Sequence, residues 1–384
     1  MQNVVVLGST GSIGVNTLDI IRYDNNFNVI GLSCNKNVEL LKKQIDEFRP
    51  SYVCVASGTD LTHLKSLYPD VCFFEGKEGL VELIDLDEVD VVVNALVGVS
   101  GLLPSYFALK NKKKLALANK ESLVVAGRVL RGLSYKNGIE IVPIDSEHSA
   151  IYQCLEHRDK DDVSKIILTA SGGPFWDRDN FEGVEPEDAL AHPNWNMGKK
   201  ITIDSATMMN KGFEIIEARW LFDIPADKID VVIHRQSIVH SAVEFVDGSI
   251  IAQIADHDMR IPIAYALTKP KRLDLPFKIN LWGVGSLTFE KPDFKRFRTL
   301  EFAFEALKKE DKNLGMVLNA ADEVAVDEFL NGNIDFKDIF EILEVSLYKF
   351  EDKLPEDIFE IDRDSERLKQ EVLGLIRRDF GGKK

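Results

Sequence analysis

The opening of this chain constrains its fold more than any other feature. An apolar run, VVVLG, passes straight into GSTGSIG, where Gly8, Gly11 and Gly14 lead into a helical pattern through Ile21. Further short apolar runs then alternate with helical stretches: FNVIGLS, a helix near Leu40, YVCVA, and VDVVVNAL. Such alternation predicts a parallel sheet with crossover helices, and strands without polar alternation predict a sheet covered on both faces. Residues 1–148 are therefore expected to form an α/β, Rossmann-like doubly wound domain. Glycines between a first strand and a first helix let backbone approach a pyrophosphate at the helix N-terminus. The spacing is GxxGxxG rather than GxGxxG, and a tight strand-to-helix turn could use the same residues. Its place in an N-terminal βαβ unit is what points to a dinucleotide. In an NAD-type site an acid ends the second strand and binds the ribose 2′-hydroxyl. Here NVIGLS runs into CNKN. Lys36 and Asn37 suit a 2′-phosphate, so NADPH is expected over NADH, with a solvated loop lysine as the alternative.

Residues 149–289 carry the strand patterns SKIILTAS, DVVIHRQSIVHSAVEFV and SIIAQI and a helix over 213–221, which predicts a central mixed α/β domain. Pro270, Pro276 and Pro292 suit a connector, and 290–312 is taken as a linker. Over 313–384, apolar residues at three- and four-residue spacing predict a C-terminal α-helical bundle, with helices at 314–330, 336–347 and 366–376 and a stop at Asn331-Gly332; a further helix is expected at 300–308. The chain has 384 residues, 45% of them hydrophobic, enough for two or three cores at roughly 150 residues per domain. Its net charge of -16 would repel nucleic acid or an anionic bilayer at long range, while a local cluster of donors could still bind a small anion. The apolar stretch 91–104 is broken by Asn94 and glycines, so no membrane span is expected; with no signal-peptide pattern, the expected location is cytoplasmic. Cys34, Cys54, Cys72 and Cys154 lack ligand spacing and read as reduced core thiols.

IEIVPIDSEH places Asp145 and Glu147 two apart at a strand's carboxyl end, where in extended geometry both would point to one face. Close carboxylates need a shared cation or proton, and oxygen ligation suits Mg²⁺ or Mn²⁺. Glu214 is a possible third ligand; a helix cap, an ion pair or a surface glutamate are the alternatives. His148 reads as a packed histidine. Ser205, Thr207, Asn210, Lys211 and Gly212 group donors before a helix, and Ser171-Gly172-Gly173 follows a strand, which suits a phosphate. A helix cap followed by a solvated lysine would look the same. On a helix Asn210 and Glu214 would share a face. The segment EDALAHPNWNMGKK, with His192, Trp195 and Met197, could close over a substrate, although a Trp buried in a core is commoner.

Taken together, GSTGSIG, LANKESLV (117–124), PIDSEH, SGGPF (171–175), HPNWNMG, DSATMMNKG followed by EIIEARWLF, and LNAADEVAV (318–326) resemble the 1-deoxy-D-xylulose 5-phosphate reductoisomerases over nearly the whole chain. The resemblance implies an NADPH- and metal-dependent isomerisation and reduction of a phosphorylated sugar, in a homodimer. It implies NADPH contacts from Thr10, Gly11, Ser12, Ile13, Lys36, Asn37, Asn119, Glu121 and Gly198. It implies a divalent cation (Mn²⁺, Mg²⁺ or Co²⁺) on Asp145, Glu147 and Glu214. Substrate would be held by Lys120, Ser146, Glu147, Ser171, His192, Ser205, Asn210, Lys211 and Glu214, with Lys120 and His192 joining the three acids as catalytic residues. Cys34-Asn35 stands where the family often has Ala-Gly, Arg235 and His257 where it commonly has proline, and Asp322 where it commonly has asparagine. The competing readings are a simple NADP-dependent dehydrogenase, with Cys154 as a conceivable nucleophile, and a non-catalytic nucleotide sensor.

Overall fold

The computed structural model describes residues 1–192, 195 and 197–381, so Pro193, Asn194 and Asn196 of the HPNWNMG motif and the last three residues of the expected helical domain lie outside the described residues. The chain divides into two compact units. The first comprises Met1–Ser122, Arg128–Ser149 and Asp258–Pro276; the second comprises Leu123–Gly127, Ala150–His257 and Phe277–Lys384.

The first unit is built on seven parallel strands: β1 (Gln2–Leu7), β2 (Phe27–Cys34), β3 (Tyr52–Val55), β4 (Cys72–Glu75), β5 (Val91–Asn94), β6 (Lys114–Leu117) and β7 (Ile141–Pro143). Their order is β4-β3-β2-β1-β5-β6-β7, the doubly wound arrangement expected from the alternation of runs. The winding reverses between β1 and β5, where Val4 pairs with Val91 and Val6 with Val93, and the ends of these two strands form the crevice in which such sheets bind ligands. Val4, Val5, Val6, Val91, Val92 and Val93 are wholly buried. Each such valine contributes about 1.5–3 kcal/mol by leaving water, which is why these strands read as unbroken apolar runs. Helix Arg260–Thr268 returns to this unit and packs on helix Ser12–Tyr23, tied by Arg260 to Asp19 at 2.8 Å.

The second unit holds a mixed sheet of β8 (Val163–Ala170), β9 (Ile229–Ile233), β10 (Val239–Phe245) and β11 (Ile250–Ile254) in the order β11-β10-β8-β9. β8 pairs parallel with β9 and antiparallel with β10. The run DVVIHRQSIVHSAVEFV thus resolves into two strands that flank β8. After β8 the chain is pinned to the C-terminal helices by aromatic contacts: Phe181 stacks on Phe340 at 5.2 Å and meets Phe336 edge-on at 5.3 Å. Helix Met209–Phe222 packs on Thr299–Lys308, and Leu314–Leu330 packs on both Phe336–Lys349 and Ile358–Asp379, which forms the expected bundle. The last helix is longer than the apolar spacing indicated because Asp357 caps it early, accepting from the Phe359 and Glu360 amides.

Candidate active site

In the first unit, the chain leaves β1 through Gly8, whose φ of +74° is left-handed; a Cβ there would lie 2.7 Å from the Ala95 carbonyl oxygen at the end of β5. A Cβ on Gly14 would lie 2.3 Å from the Gly8 oxygen, so helix and turn meet at a distance only glycine permits. Gly11 is the residue before helix Ser12–Tyr23, and Gly11 and Ser12 are exposed, leaving the helix N-terminus open to an anion. A backbone cradle that side chains would fill fits a pyrophosphate. Thr10 donates to the Cys34 sulfur at 3.5 Å, and Ser9 fastens the turn to β2 through the Ser33 oxygen at 3.1 Å. Asn37 is spent at one atom as a helix cap, its Oδ1 accepting from the Leu40 amide at 3.2 Å; Lys36 is exposed. Asn119 is buried, donating to the Leu96 and Gly98 oxygens at 3.0 and 2.9 Å and to Glu121 Oε2 at 2.9 Å.

β7 ends at Pro143, and helix Ser146–Leu155 begins three residues later. The Asp145 carbonyl accepts from the Ser149 amide at 2.8 Å, so Asp145 stands at the helix cap and Glu147 in its first turn. This corrects the expectation that the two acids share one face of an extended strand. Asp and Ser favour such caps because their backbone and side-chain oxygens take up the free amides. Lys120 Nζ lies 2.6 Å from Asp145 Oδ2, and His148 Nδ1 lies 3.9 Å from Oδ1. Burial alone would raise the Asp145 carboxyl, but the Lys120 ammonium and His148 hold it well below the usual carboxylate range. Ser146 donates to Glu147 Oε2 at 2.6 Å.

Ser171, Ser205, Asn210 and Lys211, expected to bind an anion, all belong to the second unit. β8 ends in the Ser171-Gly172-Gly173 turn, with φ of +80° and +67° at the two glycines, and a Cβ on Gly173 would lie 2.5 Å from the Ser205 carbonyl oxygen. Ser171 Oγ lies 3.2 Å from His192 Nε2, whose Nδ1 accepts from the Trp195 amide at 3.0 Å. The Trp195 ring meets His257 edge-on at 5.5 Å. Ser205 sits inside helix Lys199–Ala206, and Asn210 and Lys211 sit in the first turn of Met209–Phe222, so these donors are carried on two helices rather than on a lead-in segment. Asn210 and Glu214 share a face as expected: Asn210 Nδ2 donates to Glu214 Oε1 at 2.6 Å. Lys211 forms an ion pair with Glu214, and both are buried.

Several residues escaped the sequence reading. Lys200 bridges Asp204, at 2.7 Å, and Asp322. Burial raises the Asp322 carboxyl although Lys200 draws it down. Glu217 is a buried acid three positions from Glu214, a spacing that was the available signal. Arg235 donates to the Ser171 and Gly173 carbonyls. Cys72 is exposed rather than a core thiol, because it begins the edge strand β4. Burial pushes the Cys154 thiol up to about 11, which makes it a poor nucleophile and removes its support for a dehydrogenase. The oxygens available to a dication are carboxylates: Asp145 and Glu147 in the first unit, Glu214 and Glu217 in the second. Their hardness suits Mg²⁺ or Mn²⁺.

Three family models match the chain: 1-deoxy-D-xylulose 5-phosphate reductoisomerase over residues 4–127, its C-terminal domain over 141–222, and the DXP reductoisomerase C-terminal domain over 254–368. A 1-deoxy-D-xylulose 5-phosphate reductoisomerase of Thermoanaerobacter pseudethanolicus is 50% identical over 374 residues, covering 95% of this chain and 97% of that protein. One from Bacillus subtilis is 48% identical, covering 97% and 100%. A crystal structure of DOX-P reductoisomerase in complex with NADPH, fosmidomycin and magnesium superposes with a TM-score of 0.91 at 38% identity, covering 98% of this chain and 99% of that one. The Zymomonas mobilis enzyme in complex with NADPH also gives 0.91, at 39% identity and the same coverage.

Proposed function

The chain belongs to the 1-deoxy-D-xylulose 5-phosphate reductoisomerase family, and from that premise we propose how its residues divide the work. It isomerises and reduces 1-deoxy-D-xylulose 5-phosphate to 2-C-methyl-D-erythritol 4-phosphate, with NADPH and a divalent metal, in the non-mevalonate isoprenoid pathway. Thr10, Gly11, Ser12, Ile13, Asn119, Glu121 and Gly198 hold NADPH, and Lys36 and Asn37 receive its 2′-phosphate. The exposed N-terminus of helix Ser12–Tyr23, which no side chain caps, supports this reading. Asp145, Glu147 and Glu214 hold the divalent cation. When bound, the cation supplies Lewis-acid polarisation of the substrate's carbonyl, and NADPH supplies hydride.

One observation carries this assignment. In each unit an enclosed carboxylate expected to meet a dication is neutralised by a lysine: Asp145 by Lys120 at 2.6 Å, and Glu214 by Lys211. A charge so enclosed is costly without a partner, and each lysine supplies positive charge that balances its carboxylate. With a dication held by Asp145, Glu147 and Glu214, Lys120 would contact the reacting end of the substrate and Lys211 its phosphate. Ser146, Ser171, His192, Ser205 and Asn210 complete the substrate's polar contacts. Anchoring the phosphate at the far end keeps the intermediate aldehyde in place, so rearrangement and reduction become effectively intramolecular. The loop bearing Trp195 and Met197 excludes water.

The working division is a cofactor domain over 1–148, a catalytic domain over 149–289, a linker over 290–312 and a helical domain over 313–384. The protein acts as a homodimer in the cytoplasm on a phosphorylated sugar. Exposed apolar residues Ile250 and Ile254 on edge strand β11, with Val246 beside it, support self-association. No helix among the described residues is long and apolar enough to cross a membrane. The deciding experiment follows NADPH oxidation with 1-deoxy-D-xylulose 5-phosphate before and after chelation. Turnover should vanish with EDTA and return with Mn²⁺ or Mg²⁺; turnover that survives metal removal would overturn the assignment of the three acids.

A further inference from the structure

Arg235 lies just past the end of β9, and one nitrogen of its guanidinium, Nη1, donates to both the Ser171 carbonyl at 2.7 Å and the Gly173 carbonyl at 2.9 Å. Nη2 reaches Asp177 at 3.4 Å. The turn it grips holds two consecutive residues at positive φ, a conformation with few local interactions to favour it over others. The turn also abuts the Ser205 carbonyl near the end of helix Lys199–Ala206, 2.5 Å from where a Cβ on Gly173 would lie.

The hydrogen-bond directions inside the turn explain why its conformation matters. The Trp195 amide donates to His192 Nδ1 at 3.0 Å, so that nitrogen carries no hydrogen and the ring hydrogen of the neutral imidazole is on Nε2. Nε2 then donates to Ser171 Oγ at 3.2 Å, and the Gly173 amide donates to the same oxygen at 3.2 Å. Ser171 Oγ has two lone pairs, and both are engaged. Its own hydrogen is left to be given away, which makes the hydroxyl a donor of fixed polarity and suits a phosphate oxygen.

We propose that Arg235 is a positioning residue: by clamping the Ser171 and Gly173 carbonyls it holds the turn in the one conformation in which Ser171 presents its hydroxyl hydrogen to the substrate's phosphate. The proposal rests on Ser171 being a phosphate ligand, and its test separates the two claims. KM and kcat for 1-deoxy-D-xylulose 5-phosphate, inhibition by inorganic phosphate, NADPH affinity and melting temperature are measured for the metal-loaded parent and for Arg235→Met, Arg235→Lys, Ser171→Ala and the Arg235→Met/Ser171→Ala double variant. Arg235→Met should raise KM and weaken phosphate inhibition by about five- to twentyfold, as loss of one or two hydrogen bonds implies, with kcat and NADPH affinity within about threefold of the parent. Arg235→Lys, whose ammonium can still donate to a carbonyl, should recover part of the loss. The double variant should be no worse than Ser171→Ala alone, because both changes remove the same contact.

A parental KM in Ser171→Ala would remove the phosphate role of Ser171 and the role of Arg235 with it. A raised KM in Ser171→Ala beside a parental KM in Arg235→Met would remove Arg235 alone. Fully additive losses, or a joint fall in kcat and melting temperature without a change in KM, would mark Arg235 as merely structural. Should Arg235→Met fail to fold, the KM of Arg235→Lys decides: parental inhibition by phosphate there, with a lowered melting temperature, also overturns the proposal.

Discussion

The ion pair of Lys211 with Glu214 can be tested apart from catalysis. Glu214 and Lys211 are both nearly inaccessible to water, so removing the ammonium takes a close countercharge from a buried carboxylate that keeps its hydrogen bond from Asn210. Lys211→Met should destabilise the metal-free protein by about 3 kcal/mol, and saturating Mg²⁺ should restore most of that loss, since the dication now supplies the positive charge. Denaturation in EDTA and in Mg²⁺ reads both effects; a variant indifferent to the metal would remove Glu214 from the ligand set. Asp322 behaves in the opposite sense. Burial raises its carboxyl despite Lys200, so the folded protein holds that proton more tightly than the unfolded chain does. The stability this contributes is complete below the ordinary carboxylate range and is lost as pH rises through the raised value. Asp322→Asn cannot ionise. It should therefore gain stability over the parent as pH rises from about 4 toward neutrality, and a difference independent of pH would contradict the shift.

The strand-turn-helix unit at the N-terminus leaves no room for a side chain where its turn meets its helix. Its first strand is buried on both faces, its turn uses a left-handed glycine, and its helix starts so close to the turn that no side chain fits between them. Gly14→Ala would place a methyl 2.3 Å from the Gly8 oxygen and 2.5 Å from the Ser9 Cα, both backbone atoms that no rotamer change can move. We expect a loss of about 1–3 kcal/mol in stability and a clear loss of NADPH affinity by fluorescence titration, with metal binding retained. Parental NADPH affinity would mean that the turn does not carry the pyrophosphate. The carboxylate corner teaches the complementary lesson. IEIVPIDSEH contains a strand ending, but the strand stops at Pro143 and the acids fall at a helix start. Both geometries bring Asp145 and Glu147 near each other, which is why the residue pair was legible while its geometry was not.

At the scale of the whole molecule, the proposed self-association is open to a direct test. Ile250 and Ile254 sit four apart on edge strand β11 and so share one face. Changing both to lysine should convert a sedimenting dimer to monomer at micromolar concentration; a parent that sediments as monomer, or a variant that stays dimeric, would refute this surface as the interface. The sheet type, the tight glycine turn after β1 and the helix stop at Asn331-Gly332 were legible along the chain. Each depends on a side-chain period or a backbone preference set within a few residues. Nothing local foretold that 258–276 would return to the first unit, that Lys200 would meet an acid 122 positions away, or that Arg235 would close on a turn 62 residues before it. Such partners are chosen by which surfaces the packed core brings together. Burial of apolar area drives that packing without direction, so the polar pairs it creates acquire their strength and their roles only when water has left.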